Sequence, residues 1–155
     1  MATPDIDPGA VLTALLDHAR LLGQFEQSRI TEYKTPPPNG LCFAVWAETL
    51  GSAPEGSGLA STNALVVCMA RIYYPAFGKD EALHEVRMLT AAAGYLGRLG
   101  EDLTLAGLVR NWDVLGQSGE LPQWTFGHAS IDNKISRIGD LSIRLILNDV
   151  WAQGV

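Results

Sequence analysis

Cysteine is scarce in this chain, and its pattern argues against a disulfide scaffold and a zinc scaffold. The 155 residues include two cysteines, Cys42 and Cys68, which lie within apolar runs and form no CxxC or other metal-type spacing. We expect both to be free, buried thiols in a reducing cytosol, with a disulfide as the alternative. A chain of this length buries enough surface to fold as one domain over residues 1–155 without a disulfide or a metal ion.

Positive charge and long apolar runs are also scarce. Eleven Lys and Arg stand against 17 Asp and Glu, for a formal net charge of −6, and the basic residues form no cluster. Because nucleic-acid binding requires side chains that neutralise phosphates, we expect no specific nucleic-acid site. The first ten residues lack the basic and apolar regions of a signal peptide, and no apolar run approaches the ~20 residues that span a bilayer. We therefore expect no membrane partner.

Motifs for catalysis and cofactor binding are absent. The sequence contains no GxxxxGK[ST], GxGxxG or GxSxG, and its one Gly-Ser-Gly, at 56–58, falls in a predicted loop. The histidines, His18, His84 and His128, lie in separate elements without a second ligand at metal spacing. We expect His18 and His84 to face solvent. The expectation is thus no catalytic residue, no cofactor and no metal ion.

Acidic residues leave one enzymatic alternative open. Glu48 lies in an apolar strand beside Trp46, and a carboxylate at a strand end that faces solvent or another subunit is its simpler interpretation. Three more acidic residues crowd a predicted helix start, where the helix dipole explains them: Asp80, Glu81 and Glu85. The alternative is a small α+β hydrolase with a hidden carboxylate site. Its candidate residues would be Glu48, Asp113 and His128.

Hydrophobic periodicity predicts the first half of the fold. Asp7 can cap a helix that starts at Pro8 and ends at Gly23. A half-exposed strand over Gln24–Lys34 and a rigid turn over Thr35–Gly40 should follow. Two long apolar strands are expected around a mobile hairpin loop, the first of them covered on nearly both faces. These three segments are Leu41–Leu50, the loop Gly51–Leu59, and Asn63–Tyr74.

The second half continues with a helix and further strands. A helix over Lys79–Gly97 should bury one apolar stripe: Leu83, Val86, Leu89, Thr90, Ala93 and Leu96. A strand signal runs over Leu103–Leu115, and Gln117–Gln123 is a predicted loop. Trp124–Ile131 and Ile135–Asn148 should form a hairpin turned by Asp132 and Asn133, with a bulge at Gly139. The sum is an α+β fold, with a mostly antiparallel sheet of five to six strands and two helices on one face.

Aromatic residues fall at strand ends and in loops, where a monomer has little room to cover them. They are Trp112, Trp124, Trp151, Tyr73, Tyr74 and Phe77. Exposed aromatics of this kind mark protein interfaces. The alternative is that these side chains close the ends of the core.

Several segments, in order along nearly the whole chain, resemble small tail proteins of long-tailed phages that infect actinobacteria. In the first half they are ALLDHA and GQFE in 14–26, PNGL at 38–41 leading into AVW at 44–46, and SGLAST at 57–62 leading to Val67 and RIY at 71–73. In the second half they are VRN at 109–111, DVLG at 113–116 and LNDVW at 147–151. The chain looks most like a tail terminator. It departs from relatives in the short connection 76–78.

The resemblance implies a structural virion protein rather than an enzyme. Tail terminators are α+β proteins that form a homo-hexameric ring on the head-proximal end of the finished tail tube, in the neck of the virion, after assembly in the host cytoplasm. The ring stops tube polymerisation. Its partners would be further copies of itself, the tail-tube protein and the head-completion or stopper protein, with DNA only passing through the lumen. A head-closure or neck adaptor protein is the alternative within virion structure.

A ring with cyclic symmetry needs a heterologous interface between neighbours. We expect the Gly51–Leu59 loop and the Thr35–Gly40 turn to make axial contacts. Arg71 is expected to pair with an acidic residue such as Glu48 across subunits, with an intrachain or solvent-exposed charge as the alternative. The full set of candidate interface residues is Pro37, Pro38, Asn39, Glu48, Pro54, Glu55, Ser57, Leu59, Arg71, Tyr73, Trp112, Trp124 and Trp151.

Overall fold

The structure is a computed structural model that describes residues 8–35, 37, 40–52, 61–75, 81–114 and 121–152. Two helices and six strands follow one another along these residues. They are α1 (Pro8–Leu22), β1 (Gln27–Ile30), β2 (Cys42–Ser52), β3 (Ser61–Pro75), α2 (Glu81–Glu101), β4 (Asn111–Trp112), β5 (Trp124–Ile131) and β6 (Lys134–Ala152).

All six strands belong to one sheet in the order β1-β2-β3-β6-β4, with β5 also paired to β6. The β1–β2 pair is parallel, and the other strand pairs are antiparallel. Residues of α1 and α2 join one face of the sheet in the larger of two buried clusters. The predicted α+β class, with its mostly antiparallel sheet, is confirmed.

Helix α1 follows its sequence pattern closely. It buries one stripe, Val11, Leu15, Leu16 and Ala19, each at most 4% exposed. Gly23 then ends the helix with φ +67° and donates its N–H to the Arg20 carbonyl at 3.2 Å. Glycine reaches this left-handed conformation without a steric cost, which is why the helix ends there.

The β5–β6 hairpin is also confirmed, including its turn. Asp132 and Asn133 have φ angles of +49° and +63°, which is the two-residue type I′ turn that matches the twist of antiparallel strands. The predicted bulge at Gly139 is wrong, because the register runs unbroken through Gly139 on both neighbouring strands. Glycine is instead required there by the Phe126 ring: a Cβ at Gly139 would lie 2.9 Å from two ring carbons.

Strand β2 is covered on both faces only in its first half. Residues 42–45 are buried, whereas Trp46 is half-buried and residues 47–51 are exposed. The expectation of near-complete cover is therefore wrong beyond Val45. The change coincides with the end of β1, which pairs with β2 only up to Val45, and precedes a bulge between Ala47 and Thr49.

Helix α2 runs to Glu101, past the predicted end at Gly97, and buries a different stripe from the one predicted. The buried residues are Met88, Ala91, Ala92, Tyr95 and Leu99. Of the predicted stripe, Leu96 is half-buried and the others, Leu83, Val86, Leu89, Thr90 and Ala93, are exposed. Tyr95 decides the orientation, because its ring is fully buried against Phe43 and its hydroxyl donates to the Leu15 carbonyl at 2.9 Å.

The strand expected over Leu103–Leu115 is reduced to β4, and the residues before it form turns. Leu105, Ala106 and Gly107 all have positive φ angles, which no strand contains. The side chain of Asp102 explains the turn, because its Oδ1 accepts a hydrogen bond from the Ala106 N–H at 2.9 Å. A local side-chain acceptor has replaced the strand ladder.

Neither cysteine takes part in a disulfide, and both are fully buried, as predicted. Cys68 lies in the core between sheet and helices, and Cys42 belongs to a second, smaller cluster with Tyr33, Ala44 and Tyr73. Burial raises the pKa of the Cys68 thiol to about 12. Burial also raises the pKa of the Cys42 thiol, so both thiols are protonated at neutral pH.

Candidate assembly surfaces

Several predicted interface positions lie outside the described residues. They are Pro38, Asn39, Pro54, Glu55, Ser57 and Leu59, together with Phe77 and the side chain of Trp151. Gly51 and Ser52 belong to β2 rather than to a loop, which corrects the start of the predicted loop. The axial contacts expected of the Gly51–Leu59 loop and of the Thr35–Gly40 turn remain predictions. Pro37 is described and buried.

The predicted exposure of the aromatic residues is wrong where it can be compared. Tyr73 is fully buried, and Tyr74 and Trp112 are each 4% exposed. Trp124 is half-buried, with its ring centroid 6.2 Å from that of Tyr95. Tyr74 and Trp112 join the larger buried cluster, Trp124 packs against it, and Tyr73 joins the smaller one, which agrees with the alternative that these side chains belong to the core.

Arg71 pairs within its own chain rather than across subunits with Glu48. Its guanidinium donates to both carboxylate oxygens of Asp140, at 2.6 and 3.0 Å, and to Glu32 at 3.1 Å. Glu48 is exposed and accepts a hydrogen bond from Trp46 Nε1 at 2.9 Å. The expected Arg71–Glu48 pair is therefore wrong, and the intrachain alternative is confirmed. The cause is register, since Asp140 lies directly opposite Arg71 on β6.

A second ion-pair network lines an open cleft at the start of α2. Arg137 donates to both oxygens of Glu85, and Tyr74 donates to Glu85 Oε2 at 2.8 Å. Arg137 and Tyr74 lower the pKa of Glu85 through these hydrogen bonds, while burial raises the pKa of Tyr74 to about 12. Glu85 therefore has partners for its charge and is not a poised acid.

The three residues of the hydrolase alternative do not converge. The backbone of Asp113 bonds to Arg144 of β6, whereas His128 pairs with Arg137, seven residues and about 23 Å away along the strand. Glu48 lies on β2, three strand spacings or about 14 Å from the segment of Asp113. Among the residues that the structure describes, no group of three or more His, Cys, Asp and Glu could hold a metal ion.

The expectation that His18 faces solvent is wrong. Its Nε2 lies 2.8 Å from Asp102 Oδ2, and its side chain is 13% exposed, so the pair joins the middle of α1 to the end of α2. His84 is half-buried and stacks on Tyr74 at 5.3 Å between ring centroids. In the described part of the chain, neither helix has the length and apolar character needed to cross a membrane.

An exposed apolar stripe lies on the outer side of α2. Leu83, Val86 and Leu89 are 48%, 60% and 49% exposed. Thr90 and Ala93 continue this stripe, and the Thr90 hydroxyl donates to the Val86 carbonyl at 2.8 Å, so that it adds little polarity. We call these five residues the α2 outer face. The hydrophobic periodicity predicts this stripe but places it in the core.

A second unpartnered surface is the outer edge of β2 beyond Val45. Within the described chain, β1 pairs with β2 only at residues 42–45, and the last bond across that edge joins the Thr31 N–H to the Val45 carbonyl at 3.0 Å. Leu50 on this edge is 57% exposed. We call residues 46–52 the β2 free edge. The sequence carried no signal for it, because strand pairing depends on where β1 stops.

Comparisons with known proteins found no matching family and a weak similarity to a solved structure. No protein-family model matches the chain, and no curated protein matches it. Among solved structures, one that is similar is a chain described as "Cryo-EM Structure of an Extracellular Contractile Injection System, PVC sheath/tube terminator in extended state". The identity is 12% and the TM-score 0.43, and the match covers 100% of this chain but 62% of that chain. A likeness at this level carries no argument about function.

Proposed function

We propose that this chain is a tail terminator of a long-tailed phage, which assembles as a homo-hexameric ring on the head-proximal end of the tail tube. The ring stops tube polymerisation and presents a surface to the head-completion protein. The support is twofold. The chain resembles such proteins in order along nearly its whole length, and its α+β fold is the one that this resemblance implies.

The observation that carries the proposal is the α2 outer face. Burying a Leu or Val side chain fully stabilises a protein by about 1.5–3 kcal/mol. Three such side chains that are about half exposed would therefore stabilise an interface that buried them. A closed ring provides such an interface, because each subunit presents one surface to its neighbour around the symmetry axis. We assign the α2 outer face to this contact between subunits. The net charge of −6 suits a lumen through which DNA passes without binding.

The test is the native mass of the purified protein by light scattering, alone and after mixing with the tail-tube protein of the same genome, followed by negative-stain imaging. We expect a hexamer-sized ring, either free or at the ends of tubes that then stop growing. A monomer or dimer that leaves the tubes unchanged would refute the proposal. Binding to the head-completion protein without any effect on tubes would favour the neck adaptor instead.

A pair of matched variants tests the surface that we assign. Val86→Lys puts a charge in the centre of the α2 outer face and should prevent the ring from forming. Ile135→Lys makes the same kind of change at another exposed aliphatic residue, 45% exposed beside the β5–β6 turn, and should leave the ring intact. Equal effects of the two variants would show that the α2 outer face is not the subunit contact.

A further inference from the structure

We propose that the β2 free edge binds an extended segment of a partner protein by strand addition, and that this segment alternates aliphatic and basic residues. The surface is separate from the α2 outer face, and the proposal does not depend on the tail-terminator assignment. It rests on three features that meet at residues 46–52: main-chain groups with no partner among the described strands, an apolar cavity and an exposed carboxylate.

The main chain determines the form of the occupant. N–H and C=O groups alternate sides along a strand, so β2 directs half of its groups outward. The Val45 carbonyl points outward, since it accepts from Thr31, and no described strand continues that pairing beyond Val45. The bulge between Ala47 and Thr49 limits how far a flat strand can extend, which is a common protection of free edges. A short extended peptide satisfies such an edge, whereas a helix does not.

An apolar cavity on the helix side of the sheet sets the residue type at alternate positions. Its volume is about 90 Å³. Val11 and Leu12 of α1 line one side, and Ala47, Leu50, Val66 and Cys68 line the sheet side. A strand added along β2 would direct every second side chain to the helix side of the sheet, where one of them would lie at this cavity. Because the lining is apolar, a Val, Leu or Ile is favoured there and a polar residue is disfavoured.

The opposite face of the same edge favours a basic residue between the aliphatic ones. Glu48 is exposed at the bulge and accepts a hydrogen bond from Trp46 Nε1 at 2.9 Å, which keeps both side chains on the edge. A Lys on the added strand would meet the Glu48 carboxylate as a cross-strand pair. The recognised pattern is thus aliphatic, basic, aliphatic.

A second copy of this chain fits the pattern poorly. The longest other free edge among the described strands is β5, which carries no Lys or Arg. Its Trp124 and Phe126 side chains already pack against the core. The shorter β1 carries Arg29, but its guanidinium bonds to Thr31 and lies 5.0 Å from the centre of the Tyr33 ring. The edges of β5 and β1 therefore favour a segment of a different protein as the occupant.

The test uses the full-length protein and one peptide, acetyl-Ser-Thr-Val-Lys-Leu-Lys-Val-Thr-Ser-amide. Two control peptides carry N-methyl groups on alternate residues, one on the aliphatic set and one on the Lys set. Strand addition places only one set of peptide N–H groups on β2, so one control should lose binding and the other keep it. Hydrogen exchange should slow at residues 46–52 when the parent peptide binds. Equal binding of the two controls, no binding of the parent peptide, or protection elsewhere would each overturn the proposal.

Variants of Leu50 test the cavity independently of the peptide backbone. Leu50→Lys should weaken peptide binding at least tenfold, because it places a charge at the rim of the apolar cavity. Leu50→Met keeps an aliphatic side chain of similar size and should bind within twofold of the parent protein. Leu50 is exposed, so neither change should prevent folding. If Leu50→Lys instead dissociates an oligomer of this chain and leaves peptide binding unchanged, the occupant is a second copy and the proposal is wrong.

Discussion

Arg71 and Asp140 face each other across β3 and β6 and are joined by two hydrogen bonds, Nε to Oδ1 at 2.6 Å and Nη2 to Oδ2 at 3.0 Å. Both side chains lie on the sheet face away from the helices and are 18% and 27% exposed. The guanidinium also lies over the Trp46 and Tyr73 rings. Arg71 was predicted to lie at a subunit interface. It instead contacts residues of its own sheet, on the face away from the helices.

Removing one partner of this pair should destabilise the fold. We expect Asp140→Ala to lower the free energy of unfolding by about 2 kcal/mol, less than for a fully buried pair, because both groups retain some solvent. Urea denaturation at pH 7 measures this loss. The exposed pair between Lys34 and Glu32, at 3.7 Å, supplies the control, since Lys34→Ala should change stability by less than about 0.5 kcal/mol.

A double variant distinguishes the energy of the Arg71–Asp140 ion pair from that of the packing of the two side chains. Arg71→Met with Asp140→Leu replaces both charges by apolar side chains, and it should lose less stability than the two single variants lose together. Additive losses would show that the two residues do not stabilise each other.

Gly139 should be intolerant of the smallest possible side chain. A Cβ there would lie 2.9 Å from the Cδ1 and Cε1 atoms of Phe126, so Gly139→Ala should cost about 1–3 kcal/mol through displacement of the ring. Gly127 on β5 has open space at its Cβ position, and Gly127→Ala should be neutral or slightly stabilising. Thermal or urea unfolding checks both variants.

A double variant tests whether the Phe126 ring is the reason that Gly139→Ala is destabilising. Phe126→Leu shortens the side chain that occupies the space, so the double variant with Gly139→Ala should lose little beyond what Phe126→Leu loses alone. A further full loss in the double variant would mean that the strand backbone, rather than the ring, requires glycine.

Local patterns predicted the parts of the fold that local forces determine. The end of α1 at Gly23 and the turn at Asp132 and Asn133 each depend on a few neighbouring residues with a definite backbone preference, and both are confirmed. The β2–β3 hairpin arms follow in the same way from two long apolar runs. The turns over 103–110 escaped prediction because the Asp102 carboxylate competes there with a strand ladder, and hydrophobic pattern does not register that competition.

The choice of buried face on α2 could not come from periodicity alone. The helix has two apolar stripes, one containing Leu83, Val86 and Leu89 and the other Met88, Tyr95 and Leu99. The core takes the second because Tyr95 fills the space beside Phe43 and bonds to α1, which are contacts between distant parts of the chain. For the same reason the candidate surfaces were misplaced: Tyr73 and Trp112, predicted for the interface, are core, and most of the stripe predicted for the core is exposed.

The contact between Asp102 and its two partners should make stability depend on pH in the acid range. The Ala106 N–H, and next the His18 side chain, hold the pKa of Asp102 below its ordinary value of 3.8. A carboxyl whose pKa is lower in the folded state stabilises the fold when it is ionised, above about pH 4. That contribution is lost as pH falls through the lowered pKa, because the folded protein must then bind a proton it resists.

Asp102→Asn isolates this contribution, since the amide keeps an oxygen that accepts from Ala106 but has no proton to gain. We expect the variant to be less stable than the parent protein at pH 7, and the difference in the free energy of unfolding to shrink steadily from pH 5 to pH 2. Urea denaturation of both proteins across that range, at constant ionic strength, measures the difference directly. A difference that stays constant with pH would show that the charge of Asp102 is immaterial and that only its hydrogen-bond acceptor holds the turn between α2 and β4.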